Sequence, residues 1–287
     1  MSWHVAMRDG AEVAMIDRWT VAIAMLGVTT TSFAASDPVL LRAAGSLRGA
    51  LTEAMQSFKS ASGLEVQAKF GASGLLKDEI LAGAKAAVFA SANMEHPQAL
   101  TQAGRSGPVV LFARNRLCAL VRPGLEMTSA TLLDRMLDPS VKLGTSTPKA
   151  DPSGDYAWEV FRKADAIKPG ASTALDKKAI QLVGRPDAPT APPGRTVYGM
   201  LVAQGAADIF LTYCTNAQAA HNENPDQQVV ALPDALAVGA DYGLTVMSDA
   251  SPGAYRFAMF ILSVEGQRIL AKYGFSAPGL PAEGERP

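Results

Sequence analysis

Residues 40–48 read LLRAAGSLR, and this stretch decides how the rest of the chain is interpreted. Its apolar run ends in small residues and a serine, and from Leu47 onward apolar side chains recur at helical spacing, which predicts a strand that leads into a helix. The first N–H groups of a helix lack partners within the helix and carry partial positive charge, so such a junction can hold an oxygen-rich anion. Ser46 would add a hydroxyl donor, although a serine here can equally be an ordinary N-cap.

A second turn repeats this arrangement. Residues 64–70 alternate apolar and polar side chains as a strand does, residues 71–74 read GASG, and residues 75–82 are predicted to be helical. Ser73 in this turn is a second candidate donor, while turn chemistry alone could also explain it. Two such turns on successive β-α units would lie at the same edge of a sheet, so their donors would converge.

From residue 39 onward, short apolar runs alternate with amphipathic helical stretches. This pattern predicts an α/β fold in which mainly parallel sheets are flanked by helices, with ligands bound outside the carboxyl ends of the strands. Residues 151–158 read DPSGDYAW, and a helix is predicted to start at Gly154, with Asp151 expected to cap it and Ser153 to offer donors. Tyr213 near the end of the predicted strand 207–216 is a fourth candidate, or else a core aromatic.

Composition excludes several classes of function. The chain carries 26 basic and 27 acidic residues, so neither a nucleic-acid groove nor a membrane-binding surface is indicated. Arg18 precedes an apolar run at residues 19–28, and small residues follow at 32–35, which predicts a signal peptide over residues 1–35 and export to the periplasm. The run is shorter than the roughly 20 residues that a membrane-spanning helix needs.

The reactive residue types do not indicate catalysis or a cofactor. No GxSxG motif surrounds Ser46 or Ser73, and neither has an obvious histidine base. His96 and its neighbours are too few for a cation site, so no metal and no cofactor are expected. Cys118 and Cys214 lack CxxC spacing; we expect buried packing residues, with a disulfide as the alternative that an oxidising compartment allows.

Eight short motifs together resemble one family. The chain resembles the periplasmic molybdate-binding proteins of ABC transporters, a branch of the type II periplasmic binding proteins, along nearly all of its length after residue 35. The motifs are AAGSL (43–47), FGASGL (70–75), ILAGA (80–84), FASA (89–92), NRL (115–117), PSGDYA (152–157), TY (212–213) and KYGF (272–275).

The resemblance implies a site and an architecture. Serine hydroxyls, backbone N–H groups and one tyrosine hydroxyl would hold molybdate or tungstate, through Ser46, Ser73, Ser153, the segment from Arg195 to Val197, and Tyr213. Lobe one would comprise residues 36–115 and 241–287, and lobe two residues 116–240, with hinges near residues 116–120 and 240–244. A membrane ABC permease would be the partner of a monomeric binding protein that needs no cofactor.

The sequence departs from the family pattern in places. Ala87 and Asn93 stand where the family commonly has aspartates. Arg195 aligns at or beside a position that contributes only a backbone N–H. A cation there would suit a carboxylate or phosphate compound, or it would face solvent, and both interpretations stay open.

Overall fold

The computed structural model describes residues 37–192 and 194–279. The predicted signal peptide lies outside these residues. None of the described helices is long and apolar enough to cross a membrane.

The opening stretch folds as its sequence predicts. Strand β1 (Val39–Ala44) ends in a single 3-10 turn, Gly45–Leu47, from which helix α1 (Arg48–Ser62) continues. Helix α1 buries Ala50, Leu51, Ala54 and Phe58, which follow the helical period of the sequence. Ser46 therefore lies at the carboxyl end of β1, where a strand becomes a helix.

The remaining elements continue the alternation. The other strands are β2 (Val66–Gly71), β3 (Val88–Ser91), β4 (Val110–Val121), β5 (Leu143–Ser146), β6 (Ile180–Val183), β7 (Ile209–Tyr213), β8 (Gln228–Ala231) and β9 (Gly239–Val246). The other helices are α2 (Ser73–Leu81), α3 (Glu95–Gln102), α4 (Leu132–Leu137), α5 (Pro152–Ile167), α6 (Ala171–Lys178), α7 (Val197–Ala203), α8 (Cys214–Glu223), α9 (Pro252–Leu262) and α10 (Val264–Lys272).

The sheet has two parallel ends joined by antiparallel strands. Its order is β2-β1-β3-β9-β4-β7-β5-β6, and β8 pairs with β4. Strand β1 runs parallel to β2 and β3, and β5 runs parallel to β6 and β7. We call β1–β3 with α1–α3, α9 and α10 the first half, and β5–β8 with α4–α8 the second half; β4 and β9 are the strands that connect them.

Strand β4 belongs to both halves. Its residues from Val110 to Arg116 pair with β9, and those from Leu117 to Val121 pair with β7. Residues 117–121 are buried, because strands and helices of the second half cover both of their faces. One continuous strand thus links the two halves, and β9 runs antiparallel to the first part of that strand.

A disulfide joins Cys118 on β4 to Cys214, the first residue of α8, with their Cα atoms 4.8 Å apart. The expectation that these cysteines are separate packing residues is therefore wrong, and the alternative is correct. Strand pairing explains the bond: Thr212 on β7 lies opposite Cys118, and α8 begins two residues later.

Replacing both cysteines by alanine should lower the free energy of unfolding by about 2–5 kcal/mol, because the bond closes a long loop in the unfolded chain. Urea denaturation with and without a thiol reductant checks this. Reductant should lower the free energy of unfolding of the wild type to about that of the Cys118→Ala/Cys214→Ala variant. It should leave the free energy of unfolding of the variant unchanged. Coincident unfolding curves for oxidised wild type and variant would contradict the prediction.

Candidate functional site

Four of the five predicted site residues lie at carboxyl ends of strands where the two halves meet. Ser46 follows β1, Ser73 follows β2, Ser153 follows β5, and Tyr213 ends β7. Contacts through Ala92 link Ser73 to Tyr213, and contacts through Tyr242 link Ser46 to Tyr213. Carboxyl ends of parallel strands share one edge of a sheet, which is why residues so far apart in sequence come together.

Ser46 pairs with a tyrosine that sequence analysis missed. The Oγ of Ser46 lies 2.9 Å from the hydroxyl oxygen of Tyr242 on β9. The Tyr242 side chain is fully buried, and its ring centroid lies 5.5 Å from that of Tyr213. Asn115 on β4 also donates to the Tyr242 hydroxyl, at 3.3 Å. The alternation of buried residues along β9 could have indicated an inward Tyr242, but its partner is distant in sequence.

Ser73 and Tyr213 both bond to the backbone of Ala92. The backbone N–H of Ala92 donates to the Ser73 Oγ at 3.1 Å, and the Tyr213 hydroxyl donates to the Ala92 carbonyl at 3.4 Å. Because a backbone N–H can only donate, the proton of Ser73 is left for another acceptor. The backbone of Ala92 therefore connects a serine of the first half with a tyrosine of the second.

Ser153 has an unused hydroxyl at the start of a long helix. The residue is 0 % exposed, and its Oγ finds no hydrogen-bond partner among the described residues. The hydroxyls of Thr145 and Thr147, on the segment that precedes α5, also lack a partner among the described residues. Unpaired buried hydroxyls are costly, so this cluster would gain from an acceptor that reaches it.

Helix α5 begins at Pro152, two residues before the predicted start at Gly154, because proline is favoured in the first turn of a helix. Asp151 caps it as expected: its carboxylate accepts the Ser153 N–H at 3.1 Å. Burial raises the pKa of Asp151 from 3.8 to about 6, and the bond from Ser153 opposes that shift. An acid that is neutral below about pH 6 thus lies next to a predicted anion contact.

The tyrosine hydroxyls remain donors. Burial raises the pKa of both Tyr213 and Tyr242 well above the usual value for a phenol. Their rings pack on each other, and Tyr156 packs edge-on against Tyr213 with the centroids 6.3 Å apart. Protonated phenols can stabilise an anion without carrying charge themselves.

The halves touch directly beside Ser73. The N–H of Gly74 donates to the carbonyl of Ala150 at 2.9 Å, and a Cβ on Gly74 would lie 2.2 Å from the carbonyl oxygen of Lys149. Lys149 has a φ of 67°, which is uncommon for a residue other than glycine, and its N–H donates to Asp155 at 2.8 Å. This close approach of two backbones therefore requires glycine at position 74.

Arg195 is not brought to the other four residues. Its side chain is 53 % exposed, and its Nε lies 3.1 Å from a carboxylate oxygen of Glu223. Tyr213 lies immediately before α8, and Glu223 is the last residue of that helix. Tyr213 and Glu223 are therefore about 15 Å apart along the helix. The guanidinium is paired at the surface, which corrects the expectation of a ligand contact through its side chain.

A crevice of about 180 Å³, partly open to solvent, lies between the halves. Residues of the first half, of the second half and of β9 line it: Asn93, Met94, Glu95, Pro152, Asp155, Tyr156 and Asp241. Two of its carboxylates already have partners, since Asp241 pairs with Arg114 at 2.9 Å and Asp155 accepts the Lys149 N–H. The four candidate donors are not among these lining residues, and the acidic rim gives an approaching anion no long-range attraction, so binding would depend on short-range donors beyond the crevice.

Comparison with known proteins agrees with this geometry. The family model described as "Bacterial extracellular solute-binding protein" matches residues 39–276. The uncharacterized protein PM1146 of Pasteurella multocida is 36% identical over 235 residues, covering 81% of this chain and 96% of that protein. The molybdate-binding protein ModA of Mycobacterium bovis is 25% identical over 253 residues, covering 84% and 85%.

Solved structures share the fold at low identity. The periplasmic molybdate-binding protein of Azotobacter vinelandii has a TM-score of 0.68 at 18% identity and covers 85% of this chain and 100% of its own. The sulfate-binding protein SubI of Mycobacterium tuberculosis has a TM-score of 0.71 at 19% identity, covering 85% and 88%. PEB3 of Campylobacter jejuni with bound L-phospholactate has a TM-score of 0.63 at 17% identity, covering 83% and 98%.

These findings define first a class of protein and then a family. The fold is the two-lobed α/β fold of the type II periplasmic binding proteins, which confirms the predicted fold class. The chain belongs to the bacterial extracellular solute-binding protein family. Proteins of this family and the structural relatives named above bind solutes rather than transform them.

The raised pKa of Asp151 predicts how stability depends on pH. Between pH 3.8 and about 6 the folded protein holds a proton at Asp151 that the unfolded chain has lost, so the free energy of unfolding falls as pH rises through this window. A difference of about two pH units corresponds to on the order of 3 kcal/mol. Asp151→Asn, which can still cap α5, should remove this component.

Urea denaturation of both proteins at intervals from pH 3.5 to 8 checks this prediction. The stability of Asp151→Asn relative to wild type should increase between pH 4 and 6 and be constant above. Parallel stability curves for the two proteins across the whole range would show that the carboxyl is not perturbed.

Proposed function

We propose that this protein is an exported solute-binding protein that captures molybdate, or tungstate, between its halves and delivers it to a membrane ABC permease. The observation that carries the proposal is the set of neutral donors at the strand ends. Ser73 has a proton left for an acceptor, the Ser153 hydroxyl lacks a partner among the described residues, and the Tyr213 hydroxyl has only a long bond. The similarity to mycobacterial ModA supports the same ligand.

A tetrahedral dianion suits this donor set. Molybdate and tungstate carry no proton at neutral pH, so they only accept hydrogen bonds and match hydroxyls and N–H groups that have protons to give. They have nearly the same size and charge, and we expect little discrimination between them. Sulfate is smaller and would leave some buried donors unused, which costs affinity.

Closure would follow from contacts with both halves. We assign the two halves to two lobes, with residues 36–115 and 241–287 in one and 116–240 in the other. An anion bound to both lobes favours the closed arrangement only as far as it binds that arrangement more tightly. A periplasmic monomer, released from a signal peptide at residues 1–35, would then present the closed shape to its permease.

A second candidate is a small anion that carries its own O–H group, such as a phosphate or hydroxycarboxylate compound. Asp151 favours it, because an ionised carboxylate beside the site would repel a bare dianion but accept a hydrogen bond from a protonated ligand. PEB3, which has the same fold, was solved with L-phospholactate. Arg195 does not support this candidate, since its guanidinium pairs with Glu223.

Purified protein should bind molybdate and tungstate in isothermal titration calorimetry, and both should raise the melting temperature by mass action. Ser46→Ala and Ser73→Ala should each weaken binding by roughly tenfold, because each removes a hydrogen bond to a charged ligand. The unliganded melting temperature should change little. Ser60→Ala, which removes an exposed hydroxyl bonded only to its own helix, is the matched control.

Binding of a phosphate or hydroxycarboxylate compound, with no heat from molybdate or tungstate, would favour the second candidate. Unchanged affinity in both serine variants would place the site elsewhere. A chain that binds none of these anions would contradict the proposed function.

Gly74→Ala should impair closure, because the added Cβ would collide with the carbonyl of Lys149 on the opposite half. We expect at least about a tenfold loss of oxyanion affinity and a larger radius of gyration in small-angle X-ray scattering with molybdate in excess. Gly253→Ala is the control, since a Cβ there would lie 3.4 Å or more from its neighbours. An equal oxyanion affinity and an equal radius of gyration in the two variants would show that closure does not need the close contact between Gly74 and Lys149.

A further inference from the structure

We propose that Asn115 and Tyr242 form a hydrogen-bond relay that fixes Ser46 as a donor to the bound anion. The inference rests on the proposed function and adds two positioning residues to the predicted site. Both lie on the strands that connect the halves, Asn115 on β4 and Tyr242 on β9.

The first step is the orientation of the Asn115 amide. Its Oδ1 accepts the N–H of Arg116 at 2.9 Å, which identifies the oxygen and leaves Nδ2 on the other side. Nδ2 carries two protons and can only donate. It donates one to the Thr215 Oγ1 at 2.9 Å and one to the Tyr242 hydroxyl at 3.3 Å.

The second step is the direction of the bond between Tyr242 and Ser46. The Tyr242 oxygen accepts from Asn115, and its single proton needs an acceptor because the side chain is fully buried. Ser46 Oγ, 2.9 Å away, is the acceptor that the described residues supply. The reverse direction, with Ser46 as donor, would leave the phenol proton unpaired in the interior, which is costly.

The third step concerns Ser46 itself. Once its oxygen accepts from Tyr242, its own proton is free for a ligand. The Ser73 proton is also free for a ligand, because the Ser73 oxygen accepts from the backbone N–H of Ala92. Both serines of the first half are thus prepared to donate before an anion arrives, which spares the reorganisation that freely rotating hydroxyls would need.

The relay also crosses between the halves. Thr215 lies on α8 of the second half, Asn115 and Tyr242 lie on the connecting strands, and Ser46 lies in the first half. Donation at Ser46 therefore depends on residues at the junction of the halves, although neither Asn115 nor Tyr242 needs to touch the ligand.

A double-mutant cycle with molybdate as the probe tests this. Tyr242→Phe keeps the ring but removes the relay proton, and Ser46→Ala removes the donor. Each should weaken binding about tenfold, whereas the double variant should bind like Ser46→Ala alone, because a relay without its end point has nothing to orient. Tyr198→Phe, a tyrosine of the second half outside the relay, should act independently of Ser46→Ala.

Losses from Tyr242→Phe and Ser46→Ala that simply multiply in the double variant would overturn the relay while leaving the proposed function intact. A wild type that binds no oxyanion would overturn the proposed function and the relay's role with it. A measurement on the wild type guards against a misfolded variant: the Tyr242 hydroxyl proton should give a slowly exchanging NMR signal with a cross-peak to Ser46. Absence of that cross-peak would also overturn the relay.

Discussion

The structure depends on strand β4 changing its partner partway along its length. Up to Arg116 the strand pairs with β9, and from Leu117 onward it pairs with β7. Both halves are hydrogen-bonded to β4, the first half through β9. This strand therefore sets the position of the end of β1 relative to the end of β7. Ser46 and Tyr213 can therefore approach the same place although they belong to different halves.

Within that frame, the site works with dipoles rather than with charge. The donors named above are hydroxyls and N–H groups, whereas the crevice beside them is rimmed by carboxylates. A buried anion can be stabilised by fixed dipoles when they are oriented beforehand, because they need not reorganise as it enters. Asp151 is the exception, and its raised pKa means that protonation can remove the repulsion.

The sequence predicted what is local and missed what depends on long-range pairing. The strand, turn and helix around Ser46 and Ser73 follow from apolar periodicity and small residues, both visible in a short window. Tyr242 and the Cys118–Cys214 bond depend on which strands are neighbours, and no periodicity reveals that. The predicted strand 207–216 ran too far, because residues 214–216 form the first turn of α8 rather than a polar strand end.

The disulfide has a consequence for the order of events in the life of the chain. A polypeptide that crosses a membrane through a narrow channel must remain unfolded until it arrives. The cross-link between β4 and α8 cannot persist in a reducing cytoplasm and forms where thiols are oxidised. For a chain exported as proposed, the second half would gain its covalent reinforcement only after export, and the reduced chain would be easier to unfold than the oxidised protein.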